Sequence, residues 1–190
     1  IKANGHVIER SDGGLQLGPL AKFTKTPGVP GATCAKDQEL VAQWLSQPRP
    51  AANRTGSDKP PLDGIKVVEI ATIIAAPLGS SFLADMGAEV IKIEPVGGDP
   101  FRGLLMGLGA ARVNGGKRSI GLNLKSYQGK EIVLDLIKSA DVLIHNFRPG
   151  VPERLGIGYT EVSNLNPKII YLQSNGYGPV SYTHLTLPTN

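Results

Sequence analysis

The chain has 190 residues, 41% apolar and 19% charged, with a formal net charge of +4 at pH 7. That length gives ample core for one or two domains, and no run is long and apolar enough to cross a membrane. The mild positive balance suits an anionic small molecule and falls short of the clustered basic face of a nucleic-acid binder. The single cysteine, Cys34, excludes an internal disulfide, and its surroundings make it a spectator thiol. No stretch reads as a signal peptide, so the expected location is cytoplasmic.

Residues 1–47 do not resemble the start of a domain. Ser11-Asp12-Gly13-Gly14 is turn material, Leu15 to Phe23 reads as a strand, and Thr26-Pro27-Gly28 closes it. Asp37 to Leu45 predicts a short amphipathic helix with Leu40, Val41, Trp44 and Leu45 on one side. Residues 48–60 are polar and proline-rich without apolar periodicity, which is a linker composition. A new domain starts at Pro61.

From Pro61 to Glu94 the order is strand, tight turn, helix, strand. Ile65 to Ile70 is an apolar run broken only by Lys66 and Glu69, as in a strand covered on both faces. Proline at Pro77 is tolerated in the first helical turn. Leu78, Phe82 and Met86, with Leu83 beside them, predict the buried stripe of that helix, and Gly87 ends it. Val90, Ile91 and Ile93 make the next strand. This βαβ unit predicts an α/β fold with an open parallel sheet.

Glu94 to Gly116 is a long glycine-containing connection, with helix expected around Phe101 to Met106. Lys117 to Leu124 reads as a strand, Tyr127 to Ser139 as a helix capped by Ser126 with Ile132, Val133, Leu136 and Ile137 facing the sheet, and Asp141 to Phe147 as another strand. Short helices are expected at Pro152–Leu155 and Thr160–Leu165, then a buried strand at Lys168–Ser174.

Open α/β sheets bind ligands at the carboxyl ends of their strands. Three such ends carry Ile73-Ile74, His145-Asn146-Phe147 and Asn175-Gly176-Tyr177, with Lys117, Arg118, Lys125 and Arg154 nearby. Small residues from Ala71 to Ala76 let an anion approach backbone N–H groups at a helix start. The nearest approach to GxGxxG, at Gly107 and Gly109, lacks the third glycine and follows no strand, and no P-loop is present. Lys117 and Arg118 read equally well as ligand cations or as a solvated strand start. His145 fits a hydrogen-bonded strand residue better than a base, and no second histidine or cysteine stands at metal-ligand spacing. Asp85 fits a solvated helix end and Asp99 a turn. The residues alone therefore give an anion-binding α/β domain without an identifiable nucleophile.

The segments PLDGIKVVEI, LADMGAEVIKIEPVGGDPFRG, GKRSIGLNLK, DVLIHNFRPGVPERLGIGY and LNPKIIYLQSNGYG follow one another from Pro61 to Gly178. Together they resemble the class III CoA-transferases of the CaiB/BaiF type, which include formyl-, carnitine- and bile-acid CoA-transferases, with alpha-methylacyl-CoA racemase as a relative. The resemblance implies a Rossmann-like large domain built from both chain ends, of which residues 61–179 form the N-terminal part, and a small domain. It also implies an interlocked homodimer or a tandem equivalent. The implied activity moves CoA between an acyl-CoA and a carboxylic acid through aspartyl-anhydride and thioester intermediates, without a metal, a nucleic acid or a membrane. By the same resemblance CoA meets Ile73 and Ile74, its adenine and phosphates meet Leu122, Asn123, Leu124 and Lys125, and Asn146, Phe147 and Arg154 complete the pocket. Asn175, Gly176 and Tyr177 lie near the thioester.

The family's nucleophilic aspartate follows the GYG segment, usually in a GYD context, and nothing of that kind follows Gly178. The expectation is a catalytically inactive fragment whose nucleophile lies beyond the truncation. Residues 180–190 (VSYTHLTLPTN) resemble a translated sequencing adapter, the alternative being a genuine short strand. LGPLAKFTKTPG resembles the C-terminal tail of a preceding class III copy, although the usual LGEH segment is absent. Two other functions remain open: the racemase of the same family, and a non-catalytic CoA- or nucleotide-binding module.

Overall fold

A computed structural model of the chain describes residues 5, 7–19, 22–28, 46 and 58–176. The helix expected at 37–45, Cys34, most of the 48–60 linker, Tyr177 and residues 180–190 lie outside these residues. The chain divides into two units, Ile1–Gly56 and Ser57–Asn190.

In the first unit β1 (Val7–Glu9) pairs antiparallel with β2 (Leu15–Leu17). The turn expected at Ser11–Gly14 forms with Gly13 at φ +79°, and the Asp12 carboxylate accepts the Gly14 N–H at 2.9 Å. The strand predicted over Leu15–Phe23 ends at Leu17, and β1 is too short for period-two alternation to reveal it.

The second unit is built on β3 (Lys66–Ile70). The chain continues through α1 (Ala75–Asp85), β4 (Glu89–Glu94), a 3₁₀ helix (Pro100–Gly107), α2 (Leu108–Val113), β5 (Arg118–Gly121), α3 (Tyr127–Lys138), β6 (Val142–His145), α4 (Val151–Leu155), α5 (Tyr159–Leu165) and β7 (Ile170–Gln173). Every strand pair is parallel and the spatial order is β5-β4-β3-β6-β7. This is the doubly wound order of Rossmann-like sheets, with the switch point between β3 and β6.

Alternation along the strands assigns each face. Val68, Ile70, Ile93 and Leu143 join Val133 and Ile137 of α3, together with Ile157 and Val162, in one core. Val67, Val90 and Ile144 join Ala76 of α1 on the other. The apolar stripe predicted for α1 is not its buried face: Phe82 is 49% exposed and Met86 40%, while Ala76, Pro77, Ser80 and Ser81 are buried. The sheet beneath α1 carries charged side chains, so the helix meets it through small residues and a serine hydroxyl. On the outer side, Arg112 lies 5.2 Å above the Phe82 ring. In α3, Ile132 is likewise exposed, with Val133 and Ile137 buried.

The strand predicted at Lys117–Leu124 stops at Gly121, because Asn123 turns the chain by accepting the Lys125 N–H at 3.1 Å. Ser126 then caps α3, its hydroxyl accepting the Gly129 N–H at 3.1 Å. A Cβ at Gly129 would stand 2.2 Å from the Asn123 carbonyl oxygen, so only glycine lets α3 close on this turn. Ser126→Ala is expected to lower the unfolding free energy by about 1 kcal/mol. Urea unfolding checks this, and no loss would mean that the cap is redundant with the Asn123 turn. The helix expected around Phe101–Met106 forms as the 3₁₀ helix, and α2 extends helical structure beyond it to Val113. A Cβ on Gly109 would fall 2.6 Å from Phe101, so this glycine packs an aromatic ring, which buries with Ala110 and Val113.

Candidate functional site

The carboxyl end of β3 passes into α1 through Ala71–Ile74. Two side chains from elsewhere fix this loop. Asn146, directly after β6, accepts the Thr72 N–H through Oδ1 at 3.1 Å and donates Nδ2–H to the Thr72 carbonyl at 2.9 Å. Both polar groups of Thr72 are thereby clasped across the switch point. Asp99 takes the next residue, accepting the Ile73 N–H at 3.2 and 3.3 Å. Ile73 has φ +71°, a left-handed conformation that a β-branched residue adopts only under constraint. Ile73 and Ile74 remain 43% and 46% exposed at the loop surface.

A buried ionic network lies under α1. Glu69 and Lys92 are register partners on β3 and β4, and their side chains meet at 2.7 Å. Lys92 also donates to the Ala71 carbonyl at 2.7 Å and stands 3.0 Å from Asp99 Oδ2. Lys117 reaches the second Glu69 oxygen at 2.5 Å, the Pro77 carbonyl at 2.6 Å and Ser80 Oγ at 2.9 Å. The Ser80 hydroxyl in turn donates to Glu69. Burial pulls the Lys117 pKa down, partly offset by its bond to Glu69. Further out, Glu94 accepts the Asp99 N–H at 2.8 Å and is paired with Arg102, which holds the Glu94 carboxyl below its usual value.

Asn146 and Phe147 stand beside the β3 loop, since β6 adjoins β3. Asn175 and Gly176, exposed, follow β7 on the next strand out. Leu122–Lys125 follow β5 at the other edge of the sheet, with Leu122 in the core, Leu124 half-buried and Asn123 and Lys125 exposed. Arg154 is exposed on α4, and Gly156, just past it, would touch Lys130 of α3 if it carried a Cβ. Four strand spacings separate β5 from β7, about 19 Å. The predicted site residues within the described part thus line one edge of the sheet rather than a compact cup.

His145 is buried with both ring nitrogens engaged. Nδ1 accepts the Phe147 N–H at 3.3 Å, which assigns the proton to Nε2; that N–H donates to the Tyr171 hydroxyl at 2.8 Å. Tyr171 in turn donates its O–H to the Ile157 carbonyl at 3.1 Å. Burial lowers the His145 pKa to about 4 and raises that of Tyr171 to about 12. A neutral, fully bonded imidazole is a structural member of the β6–β7 layer. Among the described residues no group of three His, Cys, Asp or Glu side chains could hold a metal, and no helix is long and apolar enough to cross a membrane.

The sequence profile of CoA-transferase family III matches residues 62–184. The chain belongs to CoA-transferase family III. It is 39% identical over 180 residues to an acyl-CoA transferase of Fusarium pseudograminearum, an alignment covering 87% of this chain and 40% of that protein. It is 45% identical over 126 residues to the acetyl-CoA:oxalate CoA-transferase of Acetobacter aceti, covering 63% of this chain and 32% of the other. A crystal structure of a CaiB/BaiF family protein from Brucella suis superposes with a TM-score of 0.58 at 38% identity, covering 60% of this chain and 33% of that one. The chain therefore spans 32% to 40% of the length of the two enzymes named here.

The family III resemblance and the parallel sheet agree, and the residues that sequence reasoning passed over are the charged ones within strands. Glu69, Lys92 and Glu94 recur at the α1-facing positions of β3 and β4. In a sheet covered on both faces, such residues must be paired. That rule was the available signal. Lys117 and Arg118 part company: the Lys117 side chain is buried in the network, whereas Arg118 is exposed and pairs with Glu89 at 3.0 Å. Asp99 is a loop residue as expected, but one buried among three donors. Asp85 is exposed and pairs with Arg112 at 3.3 Å.

Proposed function

We propose that this family III chain supplies the CoA-binding part of a cytoplasmic enzyme that transfers CoA between an acyl-CoA and a small carboxylic acid. The working form proposed is an interlocked homodimer or its tandem equivalent. The observation that carries this reading is the clasped Thr72–Ile74 loop at the switch point, where a doubly wound sheet takes its ligand. Along the same edge lie the exposed cations Lys125 and Arg154, which suit the phosphates of CoA. Ile73, Ile74, Leu122, Asn123, Leu124, Asn146 and Phe147 line the remainder, and Asn175, Gly176 and Tyr177 flank the thioester. The Acetobacter relative acts on acetyl-CoA and oxalate, which indicates the substrate class: a thioester donor and a carboxylate acceptor.

The chemistry proposed for the parent enzyme is carboxylate nucleophilic catalysis. An aspartate attacks the thioester carbonyl, expelling CoA thiolate and leaving a mixed anhydride. The thiolate attacks the aspartyl carbonyl, releasing the donor acid and forming an aspartyl thioester. The acceptor carboxylate attacks that thioester, again expelling CoA thiolate and forming a new anhydride. The thiolate then attacks the acceptor's carbonyl, giving the new acyl-CoA and restoring the aspartate. Asp99 does not fill this role, because Ile73 N–H, Phe101 N–H and Lys92 occupy its oxygens. The nucleophile is proposed to come from outside the residues that line this edge.

Coenzyme A titrated into the chain tests the reading by calorimetry. Lys125→Ala and Arg154→Ala should each weaken binding about tenfold, the loss of roughly one charge-assisted contact. Unchanged affinity would remove both residues from the pocket. An unaltered chain that binds no coenzyme A would remove the CoA assignment altogether.

A further inference from the structure

We propose that Asp99 is a positioning residue for the ligand: its buried carboxylate holds the Ile73–Ile74 loop in the shape that receives CoA. This rests on the CoA reading above and assigns a role to a residue outside the pocket lining.

Ile73 supplies no reason of its own to sit at φ +71°. Its side chain is branched at Cβ, disfavours the left-handed region, and is too exposed for core packing to compensate. Strain of this kind persists only where the surroundings impose it, and it gathers at ligand-binding segments. Here the constraint is the Asp99 carboxylate. The Ile73 N–H points at the Asp99 carboxylate, which is 2% exposed. That carboxylate is fixed independently by the Phe101 N–H at 2.9 Å and by Lys92 at 3.0 Å. The backbone of Asp99 is tied to Glu94 at 2.8 Å, and Glu94 is anchored by Arg102. A turn residue needs no buried lysine behind it. Lys92 connects the brace to the floor of the loop as well, through the Ala71 carbonyl. The network thus reaches Ala71 and Ile73, while Asn146 secures Thr72 between them. The chain can therefore pass from β3 to α1 in four residues and still present two isoleucines at the strand-end edge.

The test is a cycle of Asp99→Ala, Ile73→Gly and the double variant, read by coenzyme A affinity and by amide hydrogen exchange at Ile73. Glycine accepts a positive φ without strain, so the need for a brace falls when it replaces Ile73. Asp99→Ala is expected to weaken coenzyme A binding at least tenfold in the unaltered background and less than threefold in the Ile73→Gly background. Ile73 exchange should quicken at least tenfold in Asp99→Ala. Asp99→Asn, which keeps an acceptor oxygen for the Ile73 N–H, should restore most of the affinity. If Asp99→Ala does not fold, Asp99→Ser, whose side chain is too short to reach the Ile73 N–H, takes its place in the cycle with the same expected losses. Val133→Ala, a core change remote from the loop, should lower stability without altering affinity.

Equal losses of affinity in both backgrounds would overturn the proposal, as would faster exchange at Ile73 with unchanged affinity. An unaltered chain that binds no coenzyme A overturns the CoA reading and the ligand half of this proposal. The exchange rates at Ile73 then still decide whether Asp99 braces the loop.

Discussion

Glu69→Leu is expected to lower the unfolding free energy by about 3–5 kcal/mol, the cost of leaving a buried charge without its partner. The geometry identifies which charge suffers. Lys92 keeps Asp99 at 3.0 Å and the Ala71 carbonyl at 2.7 Å, so it remains paired. Lys117 keeps only neutral acceptors, the Pro77 carbonyl and Ser80 Oγ. Its pKa, already lowered by burial, should fall further once Glu69 is gone. A lysine depressed in the folded state is more readily protonated in the unfolded chain. The defect should therefore be largest near neutral pH and shrink as pH rises toward the ordinary lysine value.

Adding Lys117→Met to Glu69→Leu removes the stranded charge and should recover about 2 kcal/mol, within the usual coupling of neighbouring sites. Urea unfolding of the two single variants and the double checks both statements. A single-variant cost below about 1 kcal/mol, or a double variant no better than Glu69→Leu, would mean that water reaches Lys117 and the network is not sealed.

The second large effect is a loss of about 3 kcal/mol as pH falls from 6.5 to 4, caused by His145. Its pKa is about 4 when folded and 6.5 as a free side chain. Between those values the unfolded chain takes up a proton that the native state refuses, so stability is complete above 6.5 and drains as pH falls toward 4. Glu94, held below its ordinary value of 4.5 by Arg102, contributes stability above that value and loses it only at lower pH. The interval from 6.5 to 5 therefore isolates the histidine. His145→Gln keeps a hydrogen-bonding group without titrating, and its unfolding free energy should be nearly flat over that interval. A slope unchanged in His145→Gln would assign the titration to another group.

The sequence made the architecture legible because apolar periodicity and turn chemistry report directly on elements. The βαβ unit, the Ser126 cap and the end of β3 at Ile70 follow from local pattern, whereas β6 and β7 stop at His145 and Gln173, short of the expected Phe147 and Ser174, and β7 is an exposed sheet edge rather than a buried strand. What it hid were relations between elements. Phe82 and Met86 look like a buried stripe until Glu69 and Lys92 are known to lie beneath α1, where only small side chains and a hydroxyl fit. Glu69 and Lys92 read as interruptions of two strands, because their pairing depends on a register that no local window contains. Asp99 looked like a turn residue for the same reason: its partner Ile73 lies 26 positions away, and the strain at Ile73 leaves no mark in residue type. Lys117 and Arg118 are indistinguishable by residue type, although one is sealed against Glu69 and the other points to solvent.

The strand order has a consequence for synthesis. β3 lies at the centre of the sheet, yet it acquires β6 only after about seventy further residues have been made. At about 5–20 residues per second, Val67–Ile70 waits some seconds with one flank paired to β4 and the other bare. An open, apolar strand edge invites pairing with another nascent chain, and an inward-pointing charge is a known deterrent. Glu69 sits in that edge, already neutralised by Lys92 on the strand made just after it. That flank of the central strand therefore stays open until β6 is made and Asn146 arrives to close the switch point.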